Sequence, residues 1–338
     1  MQIETTIRAL ADPTRLRIMR LLAAMELAVG ELAQVLGQSQ PRVSRHIAIL
    51  CDAGLSERHR EGSWVFLRSS IGNERGDPVG EAVSRLLATA EKEDAEFLAM
   101  CAADRAQLAA IRGSREQNAA AYFARHADDW DELRQLHSAD RIVEQRLVAA
   151  LQEGRLGRML DIGTGSGRMA ELFAPLADHI VALDKSVDML RVARAKLQNL
   201  PADMVELVQG DFAALPFAAQ MFDTVLLHQV LHFAQDPAAA LMEAARVTRA
   251  GGRIAIVDFA AHDREELRDR HAHARLGFTD KAIRLLLEEA GYDPSAQIAM
   301  DEGALTVKIW IGTRHGSWQG KPAPADMPRR SNVKKAAQ

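Results

Sequence analysis

The sequence has only two cysteines in 338 residues, Cys51 and Cys101. Two thiols do not make a disulfide framework, so a reducing cytoplasm is the expected compartment. No apolar run approaches the length of a membrane span. Met1–Leu10 carries Glu4 and Arg8 where a leader would need an unbroken apolar core, so no membrane partner is expected. Positive charge is not in excess: 42 Lys and Arg stand against 46 Asp and Glu, a net charge of -4. Any contact with nucleic acid must therefore come from a local basic patch. What remains is an ordinary soluble composition, 48 % hydrophobic, at a length that favours two domains.

Met159–Gly167 reads as a strand running into a glycine loop. Met159, Leu160 and Ile162 suit a buried parallel strand. Gly163, Gly165 and Gly167, with Thr164 among them, let the backbone turn and lie close to a ligand where a Cβ would clash. Arg168–Leu176 follows as the helix whose N-terminus faces that ligand. Asp184 closes the next apolar run, with Lys185 beside it. An acid at that place can accept hydrogen bonds from both hydroxyls of a ribose. A dinucleotide loop wants a third small residue at position 168, which here is Arg168. It also tolerates poorly a carboxylate such as Asp161 beside a pyrophosphate. A ligand with a ribose, an ammonium group and no phosphate fits better. The string from Asp161 to Gly167, followed by Asp184, resembles class I S-adenosylmethionine-dependent methyltransferases.

The surrounding pattern agrees with that resemblance. Predicted strands at Met159–Ile162, Ile180–Asp184, Val205–Gln209, Thr224–His228, Arg253–Asp258, Gln297–Met300 and Leu305–Ile311 alternate with helices. This argues a mostly parallel, doubly wound sheet with its ligand at the carboxyl ends of the strands. Asp211 and Phe212 follow the third strand, where a carboxylate can take the adenine amino hydrogens and a ring can pack. His228 ends the fourth, and Met189 could cover the adenine. Tyr122 and Trp130, in a leading helical stretch, are candidates for a lid. The resemblance implies S-adenosylhomocysteine or S-adenosylmethionine as the cofactor. The Asn/Asp-Pro-Pro-aromatic motif of DNA amino-methyltransferases is missing, as is a Pro-Cys nucleophile. The thiols of arsenite methyltransferases are missing too. His228 or His232 could serve as a base, but no catalytic residue is assigned.

Upstream, Ile3–Leu10 and Pro13–Met25 read as helices, with Asp12 capping the second. Val29–Leu36 is a third helix. After the turn at Gly37, Pro41 opens a fourth, on which Val43, Ile47 and Leu50 face inward while Arg42, Arg45 and His46 face outward. Leu55–Arg60 and Ser63–Leu67 form a hairpin around Glu61–Gly62, with Arg58, His59 and Arg60 near its tip. A helix-turn-helix followed by a basic wing suits a major groove and its phosphates. From Ala11 to the wing this resembles the ArsR-type winged-helix repressors. The resemblance implies a homodimer on an inverted-repeat operator of double-stranded DNA. Matching readout positions are Ser39, Gln40, Arg42, Arg45 and His46, with Arg58 and Arg60 from the wing. The Cys-x-Cys pair of metal-sensing members is replaced by Ala28 and Gly30, so no metal is expected at the third-helix site.

The expected fold is thus an α+β winged helix-turn-helix domain followed by an α/β doubly wound, Rossmann-like class I methyltransferase domain. Boundaries fall at 1–76 for the winged domain and 77–118 for a helical dimerisation or linker region. They continue at 119–312 for the methyltransferase-like domain and 313–338 for a basic tail expected to be disordered. In the linker, Val79, Val83, Leu86 and Leu87 form a stripe that could pair two protomers or pack within one. The combination resembles regulators that respond to S-adenosylhomocysteine and control genes of the methionine cycle. The alternative is an active small-molecule methyltransferase carrying a DNA-binding head.

Overall fold

The computed structural model describes residues 2–61, 63–71, 78–127, 130, 140–152, 154–201 and 203–316. Gly62, Asp77, the end of the leading helical stretch at 131–137 and the tail beyond 316 lie outside the described residues.

The head opens with α1 (Gln2–Leu10) and α2 (Pro13–Leu22). Asp12 caps α2 by accepting a bond from the Arg15 amide at 3.1 Å, with Pro13 at the first position. A short strand β1 (Leu27–Ala28) leads into α3 (Val29–Leu36), which Gly37 ends at φ +63°. Helix α4 (Gln40–Asp52) buries Val43, Ile47 and Leu50, the inward face that its spacing predicts. Strands β2 (Ser56–Glu61) and β3 (Trp64–Ser69) form the hairpin, and β1 adds to β3 to complete a three-stranded sheet. Two residues are too few to leave a period in the sequence, which is why β1 is not foreseen.

Helix α5 (Pro78–Glu93) divides its apolar stripe. Val83 and Leu87 join the head's core, while Val79 and Leu86 remain exposed. Helix α6 (Ala95–His126) is capped by Asp94, which accepts from the amides of Glu96 and Phe97 at 2.9 and 3.0 Å. Its 32 residues form one unbroken helix that crosses position 118 and spans about 48 Å at 1.5 Å per residue. Charged pairs bind it to the rest of the head. Asp104, buried, accepts from Arg17 Nε at 2.7 Å and from Nη2 at 2.5 Å. Glu91 of α5 takes Arg20 of α2 and Arg105 of α6.

The second unit holds α7 (Asp140–Leu151), β4 (Arg158–Ile162), α8 (Arg168–Phe173), β5 (His179–Asp184) and α9 (Val187–Lys196). It continues through β6 (Val205–Gln209), β7 (Phe222–His228), α10 (Pro237–Val247) and β8 (Thr248–Phe259). It closes with α11 (Glu266–His271), α12 (Asp280–Ala290), β9 (Tyr292–Met300) and β10 (Val307–Arg314). The seven strands lie in the order β6-β5-β4-β7-β8-β10-β9, parallel from β6 to β8, with β10 antiparallel to both neighbours. Successive residues of β4 feed opposite faces: Met159 joins one apolar cluster with Leu147 and Phe173, and Leu160 the other with Phe222 and Leu241. The fold is therefore the expected Rossmann-like domain. Strands β8 and β9 begin earlier than their hydropathy suggests. In β9 the reason is its place at the sheet edge, where Asp293, Pro294, Ser295 and Gln297 stay exposed and no apolar alternation is needed. No helix among the described residues is long and apolar enough to cross a membrane.

Candidate functional site

The carboxyl ends of β4, β5 and β7 meet at the glycine loop. The amides of Gly163 and Thr164 donate to the Leu183 carbonyl at 2.8 and 2.9 Å, pinning the loop to β5. Thr164 Oγ1 donates to Asp161 Oδ2 at 2.6 Å, and Asp161 is buried. Asp184 accepts from the Gly165 amide through Oδ2 and from the Ser186 amide through Oδ1, both at 2.8 Å. A Cβ at Gly163, where φ is +70°, would stand 2.3 Å from Val230 Cγ2, so this approach of loop to turn needs glycine. The donor set fits an adenosyl amino acid: two carboxylates face a loop that a Cβ would fill, and neither would welcome a phosphate.

Burial pushes the Asp184 carboxyl above its ordinary value, against the opposing pull of the Ser186, Gly165 and Lys185 amides. Ribose hydroxyls donate best to the ionised form. Affinity for an adenosyl ligand should therefore fall as pH drops through the raised Asp184 pKa, starting at a higher pH than for an exposed aspartate. Calorimetric titrations over a descending pH series check this, and an Asp184→Asn variant should lose that dependence.

The other residues expected here take varied places. Lys185 bridges Asp211 Oδ2, at 2.8 Å, and Glu116 of α6. Met189 is buried in α9, Phe212 is half-buried against the core, and His228 is buried at the end of β7. Trp130 brings Nε1 within 3.3 Å of where a Gly165 Cβ would stand, so it lies on the loop. Tyr122 instead bonds His271 Nδ1 through its hydroxyl at 2.9 Å.

A second group lies beside the loop, and of its members the sequence singles out only His232. His232 Nδ1 donates to Asp258 Oδ1 at 2.7 Å, and its amide donates to Oδ2 at 3.1 Å, with both residues buried. His273 packs on the His232 ring at 4.1 Å, and Phe233 contacts Phe123 at 4.9 Å. Burial, with His232 nearby, pushes His262 down to about 4. Gln229 is buried at φ +52° and its Nε2 has no hydrogen-bond partner among the described residues. Asp258 is the last residue but one of β8 (Thr248–Phe259), so the strand-end rule that singles out Asp184 could have found it.

On the head, Ser39 just before α4 and Gln40, Arg42 and Arg45 along it are exposed. His46 is half-buried, with Nδ1 3.6 Å from Asp12, because the cap of α2 stands where the helical wheel predicts open solvent. Arg58 and Arg60 are exposed on β2, whereas His59 pairs with Glu26 at 3.1 Å. At the third-helix position, Glu31 accepts from the Ala28 amide at 3.0 Å and from Arg115 of α6 at 2.6 Å.

Comparison with known proteins divides the chain the same way. Residues 12–56 match the bacterial regulatory protein, arsR family, and residues 160–256 match the methyltransferase domain family. A demethylmenaquinone methyltransferase of Thermobifida fusca is 35 % identical over 146 residues, covering 43 % of this chain and 62 % of that protein. One from Roseiflexus sp. is 32 % identical over 189 residues, covering 54 % and 75 %. A phosphatidylethanolamine N-methyltransferase of Cereibacter sphaeroides is 37 % identical over 127 residues, covering 36 % and 61 %. The chain spans about three fifths of the first and third of these relatives. All three alignments are shorter than this chain, and the helix-turn-helix match stands apart from the methyltransferase match. The chain belongs to the class I methyltransferase-domain family, in a form that carries an arsR-family DNA-binding head.

Proposed function

We propose that this chain is a transcriptional regulator whose methyltransferase domain takes S-adenosylhomocysteine or S-adenosylmethionine as an effector, and that it controls genes of the methionine cycle. One observation carries the reading. Two consecutive residues of α6 face different units: Arg115 pairs with Glu31 of α3, and Glu116 pairs with Lys185, next to Asp184. The same helix contributes Leu108 to the head's core and brings Tyr122 to His271. A ligand that moves the loop around Asp184 thus acts on an element packed against the helix-turn-helix. Coupling requires only that the ligand favour one of two arrangements of that element.

In this reading Asp184 holds the ribose, Asp161 faces the ammonium, and Gly163–Gly165 lie under the amino-acid arm. Two copies join through the head, where Ile3, Ile7 and Leu86 expose apolar surface on α1 and α5. The test is operator binding with each adenosyl compound added separately. One of them should change DNA affinity; if neither does, the effector reading fails. Arg45→Ala should weaken operator binding by about 1–3 kcal/mol, the worth of one good base contact, while the calorimetric affinity for the nucleoside stays the same.

A second reading, an active methyltransferase with a DNA-binding head, draws support from the His232–Asp258 pair and from the names of the relatives. Asp258 would orient His232 to take a proton from a small acceptor while S-adenosylmethionine supplies the methyl group. Formation of S-adenosylhomocysteine on a demethylated quinol acceptor would favour it.

A further inference from the structure

The hairpin that should reach DNA is held at its tip by the methyltransferase domain. Arg268 of α11 meets Glu61 at 2.6 Å and lies over the Trp64 ring at 4.4 Å. Arg275 meets Glu26 at 2.8 Å, approaches Glu61 at 3.6 Å and lies over the Phe66 ring at 4.0 Å. The Leu276 amide also donates to Glu61, and the Ser63 amide donates to Glu265 at 2.6 Å. Arg268, Arg275 and Glu61 are each less than one tenth exposed. An acid at the end of a wing would repel phosphates, yet it is the natural partner of two buried guanidinium groups. Register places Glu61, His59, Trp64 and Phe66 on one face of the hairpin, toward the arginines, and Arg58 on the other with Leu67.

The holding segment is tied to the nucleoside site. The amides of Ala274 and Arg275 both donate to the His232 carbonyl, at 3.0 and 2.9 Å, and Arg268 Nη1 donates to the Ala274 carbonyl at 2.6 Å. His232 sits in the turn that follows Val230, the residue that closes on Gly163. A cleft of about 2640 Å³ opens beside the clamp, lined by Arg58 and Arg60 on one side and by Met242 and Leu286 on the other. The cleft separates part of the hairpin from the methyltransferase domain beside the clamp.

We propose that the methyltransferase domain clamps the wing through Arg268 and Arg275, that clamped and DNA-bound states exclude one another, and that occupancy of the nucleoside site is reported by the clamp's release or closure. This rests on the regulator reading above. A buried ion pair suits the task. Its attraction is largely offset by the desolvation of both partners, so the clamp is close to balance and a modest bias can move it.

The experiment uses the full chain and a duplex that the wild-type chain has enriched from a random-sequence pool. The double variant Arg268→Gln/Arg275→Gln should bind that duplex at least about fivefold more tightly and respond less to either adenosyl compound, the size typical of site-to-site coupling. Loss of two positive charges alone would weaken DNA binding, so the expected direction is diagnostic. In a Cys51→Ala/Cys101→Ala background, Ser63→Cys and Glu265→Cys joined by a short bis-maleimide should lose duplex binding that the unlinked protein keeps. If the arginine variant melts like wild type and binds no more tightly, or if the linked protein binds as well as the unlinked, the clamp is refuted. Should the arginine variant fail to fold, the linked protein decides alone. If the wild-type chain enriches no DNA, the regulator reading falls, and the clamp with it.

Discussion

Replacing Asp184 with alanine should lower the affinity for S-adenosylhomocysteine and S-adenosylmethionine about a hundredfold or more, because hydrogen bonds to a charged group contribute about 1.5–3 kcal/mol each and a ribose offers two. The change acts twice. It removes the acceptor for the hydroxyls, and it frees the Gly165 amide, which Asp184 Oδ2 holds at 2.8 Å. Asparagine is no remedy, since its amide nitrogen would face the Gly165 or Ser186 N–H that the carboxylate now accepts. Operator binding by the ligand-free variant should match wild type, because Asp184 lies in the methyltransferase domain and the residues proposed to read DNA lie on α4. Calorimetry with both compounds and a duplex-binding assay on the same preparation check the pair of outcomes. Unchanged nucleoside affinity would remove the adenosyl site from β5.

Asp104→Ala should destabilise the head by about 3 kcal/mol, the lower end of the cost of breaking a buried ion pair. Asp104 is 3 % exposed and Arg17 about one fifth, so alanine leaves a half-buried guanidinium with its two-point partner gone. The pair joins α2 to α6, so the loss also loosens the helix that reaches Lys185. Denaturant unfolding of the full chain measures it. The double variant Arg17→Met/Asp104→Leu, which removes both charges, should recover most of the loss; if it does not, helix packing rather than the unpaired charge sets the cost.

Much of the molecule could be read from short stretches of sequence. The glycine loop, Asp184 and the inward face of α4 are local patterns, in which neighbours along the chain are neighbours in space. What could not be read joins distant positions. Glu61 finds Arg268 across 207 positions, and Glu116 finds Lys185 across 69. Hydropathy carries no trace of which charged side chain will meet which. His46 shows the same limit: its place on the helical wheel is outward, but the direction is taken by Asp12 from another helix. His232 and Asp258 each follow a local rule, yet only the folded sheet makes them a pair.

Strand β9 has a consequence for how copies of this chain can associate. It ends the sheet with Pro294, which has no amide hydrogen to offer, among exposed polar neighbours, and with Asp293 turned to His315 at 3.1 Å. Such a border resists strand-by-strand growth into a neighbouring molecule. A border sealed in this way blocks end-on stacking of one sheet upon the next and leaves helical surfaces to do the joining. A crowd of these molecules in a concentrated solution should stop at small, closed assemblies rather than lengthen into fibres.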